Sequence, residues 1–340
     1  MVGRKAPSIR DVAELAGVSH MTVSRVLNNS PKLRPETRKR VEIAIAELGY
    51  EPNVLAQSLA AGRSRQIGIL VHAYSEYGPM SMLRSMYAAA LDSGYVPVVY
   101  MLEKGTTDEV QEGLSALSSR RVDGLAIILP QVSALPFLKN AKLPKVSVLF
   151  SSVPQESIPE CSAVKVCINQ YDGASKAVQH FIDRGHRRIA HIAGPQDWFD
   201  AQERLAAWED VLSAAGLEKP AAIFGDWSAQ SGYDAADQVA QIPGITAVFS
   251  ANDQMALGLI HGLKDKGYRV PEDISVIGFD GQPDSGHFLP PLTTVEQDFS
   301  SLGRLGMKIL LNELENQPSQ IPIAPVEPRL RVRSSVRSLP

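Results

Sequence analysis

Apolar residues recur at helical spacing through the first fifty positions and then change period. Val12, Leu15 and Ala16 form one stripe. Val23, Val26 and Leu27 form a second, and Val41, Ala44, Ile45 and Leu48 a third at i, i+3, i+4 and i+7. Start and stop signals bracket these stripes. Ser8 and Asp11 have capping-box spacing, Gly17 suits the left-handed residue that ends a helix, and Ser19 can cap a second helix over 20–28. Pro35 opens the third helix, which runs to Leu48 before Gly49, although Arg34 stands where a capping Ser or Thr is usual. Residues 51–53 (Glu-Pro-Asn) then read as an extended joint, since proline biases its predecessor away from helix. Asn53 can cap a short helix over 54–61, stopped by Gly62. About eight residues are too few for a helix to hold alone in water, so its order has to come from a neighbour.

From Arg65 onward the texture becomes short apolar runs alternating with amphipathic stretches. Strands are predicted over 67–73, 96–101, 124–129, 145–150 and 163–167, and a second series over 188–193, 221–225, 246–250 and 274–279. Helical patterns at 81–92, 108–117, 174–184, 201–215, 230–241 and 254–266 separate them. Such alternation predicts an α/β body whose parallel sheets are covered on both faces. Two series predict two similar lobes, with a ligand cleft at the carboxyl ends of the strands.

Helix, tight glycine turn and helix is an arrangement that reads DNA. Met21, Arg25 and Asn28 fall at i, i+4 and i+7 on the outward face of the second helix, and an arginine there can grip guanine through two hydrogen bonds. Charge points the same way. Residues 1–65 hold 11 Lys/Arg against 6 Asp/Glu, a balance of +5, while the remaining 23 basic and 31 acidic residues give −8. A basic head on an acidic body suits one end that meets phosphate and another that does not. Arg38, Lys39 and Arg40 read as a solvated basic face that adds salt-dependent affinity. Cys161 and Cys167 are too few for a disulfide framework or a structural zinc site and read as thiols in a reducing cytoplasm. No apolar run approaches the roughly 20 residues of a membrane helix, and no signal-peptide pattern opens the chain. A soluble cytoplasmic protein without membrane contact is predicted.

The segments DVAELAGVS, TVSRVLN and PNVLAQSLA resemble the lactose-repressor family of bacterial transcription regulators. The resemblance runs over nearly the whole chain. It implies an N-terminal all-α helix-turn-helix domain (1–50), a hinge helix and linker (51–65), and a two-lobed periplasmic-binding-protein-like body (66–340). Its N-lobe would take about 66–168 and 297–326 and its C-lobe about 169–296 and 327–340, with crossovers near 168, 296 and 326 that permit hinge closure. The implied DNA contacts are Ser19, His20, Met21, Thr22, Ser24, Arg25 and Asn28, with Arg34 and Thr37 of the third helix. The hinge helix adds Asn53, Ala56 and Leu59; in the family it pairs with its dimer mate in the minor groove, where a leucine wedges a base step. His20 and Met21 replace the family's usual base-reading pair, so the operator sequence does not carry over.

The predicted strand ends carry Arg204, Trp227, Asn252, Asp280 and Gln297. Planar donors and acceptors of this kind can grip adjacent sugar hydroxyls while an indole covers an apolar C–H face. By resemblance Arg204, Trp227, Asn252, Asp280 and Phe299 occupy effector-site positions, with Gly78, Pro79 and Met82 as the N-lobe wall and His72 beside them. Leu149 stands where an acidic sugar contact is found, and His72 and Glu76 replace a small hydroxyl residue and an apolar one. A transport receptor would share the body but not the DNA-reading head. An enzyme would need more than Asp280 beside His287 or Asp253, because no nucleophile elbow or metal-ligand spacing is present. The expectation is therefore a repressor, not an enzyme, with no cofactor and no metal. It binds double-stranded operator DNA and is released by a sugar or glycoside, the alternative being a co-repressor response to a nucleoside or purine. After Val326 a closing strand and an arginine-bearing tail are predicted without a leucine heptad. This predicts a homodimer matching a pseudo-palindromic operator.

Overall fold

The computed structural model describes residues 7–27, 33–50, 63–72, 75–134, 136, 143, 146–152, 163–315 and 324–340. Asn28, Asn53, Ala56, Leu59, Cys161 and the predicted 54–61 helix lie outside the described residues. The chain forms two compact units, Met1–Ser64 and Arg65–Pro340.

The first unit contains α1 (Ile9–Ala16), α2 (His20–Leu27) and α3 (Pro35–Leu48). The capping box closes as its spacing predicts: the Ser8 N–H donates to Asp11 Oδ2 at 2.7 Å, and the Asp11 N–H donates to Ser8 Oγ at 3.4 Å. Gly17 and Gly49 end α1 and α3 at φ 63° and 59°, where a side chain would be strained. Val12, Ala13, Ala16, Val23, Val26, Val41 and Ala44 make the core. Leu15, expected there, is 48% exposed. The buried stripe of α1 is Ile9, Val12, Ala13 and Ala16 at i, i+3, i+4 and i+7, which leaves Leu15 on its flank. Arg34 makes no side-chain cap bond; Pro35 at the first helical turn starts α3 instead.

The second unit has two sheets. The first runs β2-β1-β3-β4-β5, all parallel: β1 (Gln66–His72), β2 (Val96–Leu102), β3 (Gly124–Ile128), β4 (Ser147–Phe150) and β5 (Val164–Val166). The second runs β11-β10-β9-β8-β6-β7: β6 (Ile189–Ala193), β7 (Ile223–Phe224), β8 (Ala247–Ser250), β9 (Ser275–Asp280), β10 (Thr293–Glu296) and β11 (Arg329–Arg331). Only the β10–β11 pair among these is antiparallel. Around the first sheet lie α4 (Tyr77–Asp92) and α5 (Thr107–Ser119), and around the second α6 (Gln170–Asp183), α7 (Phe199–Ala214), α8 (Ala229–Gln241) and α9 (Asp253–Asp265). Ile67–Val71 are buried along β1, the pattern of a strand covered on both faces.

One helix was not expected from the pattern, α10 (Phe299–Leu314). Asp298 caps it through the Ser301 N–H at 2.8 Å, and Leu302, Met307, Ile309 and Leu310 fill the core of the first lobe. The chain thus leaves the second lobe after β10, contributes α10 to the first, and returns to β11. Ile168 and Val326 bridge in parallel where two of these crossings meet, with the Asn169 N–H donating to Val326 O at 2.9 Å. Among the described residues no helix is long and apolar enough to cross a membrane.

Candidate functional site

Between the lobes lies a cleft lined by Glu76, Tyr77, Gly78, Pro79, Met82 and Pro130 on one side. Trp198, Asp200, Arg204, Trp227, Asn252, Asp280 and Gln297 line the other. The second-lobe groups sit at strand ends or helix starts, where backbone geometry fixes their direction. Arg204, 3% exposed, is the centre. Its Nε and Nη2 donate to Gln170 Oε1 at 3.0 and 2.8 Å, and its Nη1 donates to Ala251 O at 2.5 Å. Gln170 Nε2 donates in turn to Gln297 Oε1 at 2.8 Å, and Gln297 Nε2 to Asp280 Oδ1 at 2.7 Å. The guanidinium lies 3.9 Å from the Phe279 ring centroid and 3.7 Å from Asp280 Oδ1. A polar chain this well satisfied holds one arrangement, because any buried member left unpaired costs roughly 1–3 kcal/mol.

Trp227 is held from several directions. Its backbone sits at φ +76°, Asn252 Nδ2 donates to its carbonyl at 2.9 Å, and Trp198 meets its ring edge-on at 5.5 Å between centroids. Gly194 leaves the space for the indole, since a Cβ there would lie 2.1 Å from Trp227 Cη2. The Trp227 Nε1–H is buried and has no acceptor among the described residues.

Burial moves Asp280 and Glu76 in the cleft, and Asp253 behind it, towards their neutral forms. The Asp280 carboxyl is pushed up to about 6 by desolvation, against which the Arg204 charge and the Gln297 hydrogen bond act. Behind it Asp253 is pushed up to about 8 by burial and by the charge of Asp280. Thr294 Oγ1 donates to Asp253 Oδ1 at 2.5 Å and the Gln282 N–H to Oδ2 at 2.7 Å. Burial likewise raises Glu76. Asp280 and Arg204 thus face each other in the cleft as acceptor and donor, an arrangement that suits a hydroxylated ligand. No group of three His, Cys, Asp or Glu among the described residues is placed to hold a metal.

Gly78, Pro79, Met82, Arg204, Trp227, Asn252, Asp280 and Gln297 are thus brought to one cleft, together with Glu76. Two residues expected there are elsewhere. His72 turns away, its Nδ1 2.8 Å from Gln131 Oε1 and its ring against Gly105. Phe299 packs edge-on against Tyr77 and lines an adjoining groove of about 840 Å³, which shares Tyr77 and Gln297 with the cleft. Asn252 lines the cleft, but its amide is engaged in clamping Trp227 and capping α9 at Met255 N. Leu149 is fully buried in the first lobe. Trp198, Asp200, Tyr77, Pro130 and Gln170 were missed. The run QDWFD after an apolar strand was the available signal for Trp198 and Asp200; nothing local marks Gln170.

In the first unit, α2 presents exposed His20, Met21 and Arg25, with half-buried Thr22 and Ser24 beside them. Ser19 is exposed and caps α2, its Oγ accepting from the Thr22 N–H at 3.2 Å. Arg34 is exposed at the start of α3 and Thr37 half-buried one turn on.

Residues 8–53 match the bacterial regulatory proteins of the lacI family, and residues 178–336 the periplasmic binding protein-like domain. The lactose operon repressor of Escherichia coli (strain K12) is 36% identical over 316 residues, covering 92% of this chain and 86% of that protein. The HTH-type transcriptional regulator CelR of Thermobifida fusca is 34% identical over 348 residues, covering 98% and 100%. The solved lac repressor dimer bound to operator and the anti-inducer ONPF superposes with a TM-score of 0.85 at 33% identity, over 98% of this chain and 100% of that one. A CelR–cellobiose complex superposes at 0.69, also 33% identical, over 97% and 99%.

Proposed function

Because this chain belongs to the lacI family of bacterial regulatory proteins, we propose that it is a transcriptional repressor released from its operator by a small carbohydrate. It acts by binding and not by catalysis. The helix-turn-helix reads each half of a pseudo-palindromic site in the cytoplasm, Arg25 and Met21 facing bases and Ser19, Arg34 and Thr37 positioned for the backbone. Asn28, Asn53, Ala56 and Leu59 enter through the resemblance alone. The relatives fix the regulatory class: the lac repressor has been solved as an operator-bound dimer and CelR with cellobiose.

The sugar reading is carried by one observation, the cleft in which Arg204, Gln170, Gln297 and Asp280 form a continuous polar chain beside the Trp227 indole. Such a site supplies donors and acceptors to vicinal hydroxyls and an aromatic surface to a sugar face. The effector favours a lobe arrangement other than the one that grips DNA, and shifts the dimer by its differential affinity for the two.

The test begins with an operator obtained by selecting random duplexes on the full chain. Anisotropy of that duplex is then titrated with cellobiose, lactose, other mono- and disaccharides, hypoxanthine and adenosine. A saccharide should weaken DNA binding at least about tenfold, a coupling within the usual 1–3 kcal/mol. The Arg204→Ala dimer should still bind the operator and no longer release it. If a purine tightens DNA binding and no saccharide acts, the co-repressor reading replaces this one.

A further inference from the structure

The lobes are also joined where no chain crosses between them. Just past β3, residues 130–133 of the first lobe run antiparallel to 197–199 of the second, with Gln131 and Trp198 as bridge partners. The Val132 N–H donates to Asp197 O at 2.7 Å and the Phe199 N–H to Pro130 O at 3.2 Å. The Asp197 carboxylate accepts the Ser133 N–H at 3.0 Å and the Ser133 hydroxyl at 2.9 Å. Phe199 leaves its own lobe: 5% exposed, it belongs to the hydrophobic cluster of the first lobe with Leu129, Ala134 and Leu149. His72 braces the pairing from behind through Gln131.

Pro130 and Trp198 of this pairing also line the cleft, in which about 30 Å³ is open to water. A site that encloses a drug-sized ligand offers roughly 300–1,000 Å³. The cleft as it stands is too small to enclose a sugar ring. We propose that residues 130–133 and 197–199 are a clasp holding the unliganded lobes shut. The effector enters when it opens, so Ser133, Asp197 and Phe199 set the effector concentration needed for release without touching the effector. The clasp stands on the lobe geometry alone; the statement about release rests on the effector reading above.

The experiment uses the full-length protein without ligand, comparing the natural sequence with Asp197→Ala and Phe199→Leu. Asp197→Ala removes an exposed side chain and leaves the fold intact, which a thermal melt checks. Amide exchange at Val132 and Phe199 should be slow in the natural protein and roughly tenfold faster in Asp197→Ala, as expected for losing two hydrogen bonds. Exchange along β3 and β8 should not change. Acrylamide quenching of tryptophan should rise in both variants as Trp198 and Trp227 gain access. Unprotected Val132 and Phe199 amides in the natural protein overturn the clasp, as does Asp197→Ala with unchanged exchange and quenching. If cellobiose releases the operator, Asp197→Ala should lower its half-maximal concentration several-fold, and an unchanged value overturns the threshold role. If no saccharide acts, the effector reading fails while the exchange result still decides the clasp.

Discussion

Trp227 and Asp280 hold φ at +76° and +99°, conformations that cost a non-glycine residue roughly 1–3 kcal/mol and persist where surroundings over-determine them. Both line the cleft, and the clamp from Asn252 and the bond from Gln297 show what does the determining. The buried acids behind them make a pH prediction. Asp253 sits near 8 when folded, against about 4 for an unfolded aspartate. Below about pH 4 its carboxyl is protonated in both states and its contribution to stability is whole. As pH rises towards 8 the unfolded chain ionises first, and the contribution is lost through the folded value. Asp280 acts with the same sign over a lower window, ending near 6. His191, held down to about 4 by burial, acts in the opposite sense, so the informative quantity is a difference between variants. Calorimetry from pH 5 to 8.5 at fixed ionic strength should give a melting temperature that falls more steeply for the natural protein than for Asp253→Asn. Parallel slopes would mean that Asp253 is ionised throughout.

At the scale of elements, the proposed DNA reading rests on α2. Arg25 is exposed one turn from Met21 on a helix whose other face, Val23 and Val26, is locked into the three-helix core. Arg25→Ala should therefore leave the fold unchanged and cost about 1–3 kcal/mol of discrimination at one base pair. Selection from random duplexes reads this directly: equal preference in variant and natural protein removes Arg25 from base reading. Elements of this kind were legible because their signals are local. The Ser8 capping box, Gly17, Pro35 and Gly49 each mark a boundary within a few residues of where it falls. The β and α alternation was legible for the same reason, since a strand buried on both faces reads as a continuous apolar run. α10 escaped because its start, Asp298, lies beside residues read for chemistry, and it serves a lobe other than that of the strand before it. The cleft was legible where residues stand at or just past strand ends, as Trp227 and Asp280 do. It was not legible where long-range packing chooses the rotamer. His72 turns to Gln131, 59 positions away, and Gln170 reaches Arg204 and Gln297 from the start of α6. Leu15 failed for a related reason, because which flank of a short helix is covered depends on its partners.

At the scale of the whole molecule, the proposed function has a cleft within one chain govern a grip that needs two. Tyr87 and Leu91 of α4 and Val96 and Met101 of the edge strand β2 are exposed on the first lobe, and Phe224 and Leu257 on the second. A second copy of the chain burying such side chains gains about 1.5–3 kcal/mol for each one fully covered. The dimer then ties two half-site contacts into one event, and linked binding exceeds single binding by roughly 10²–10⁴. Placing aspartates at Tyr87 and Leu91 together puts two charges one helical turn apart on that face, away from the cleft residues. Sedimentation of this double variant should show a species of 36.8 kDa in place of twice that mass. Operator affinity should fall at least about a hundredfold with the loss of linked binding. Saccharide affinity should be unchanged, because every group in the Arg204 network comes from one chain. A variant that remains dimeric would move the contact to another face. A monomer that still binds the operator tightly would break the link between lobe arrangement and paired grip on which release depends.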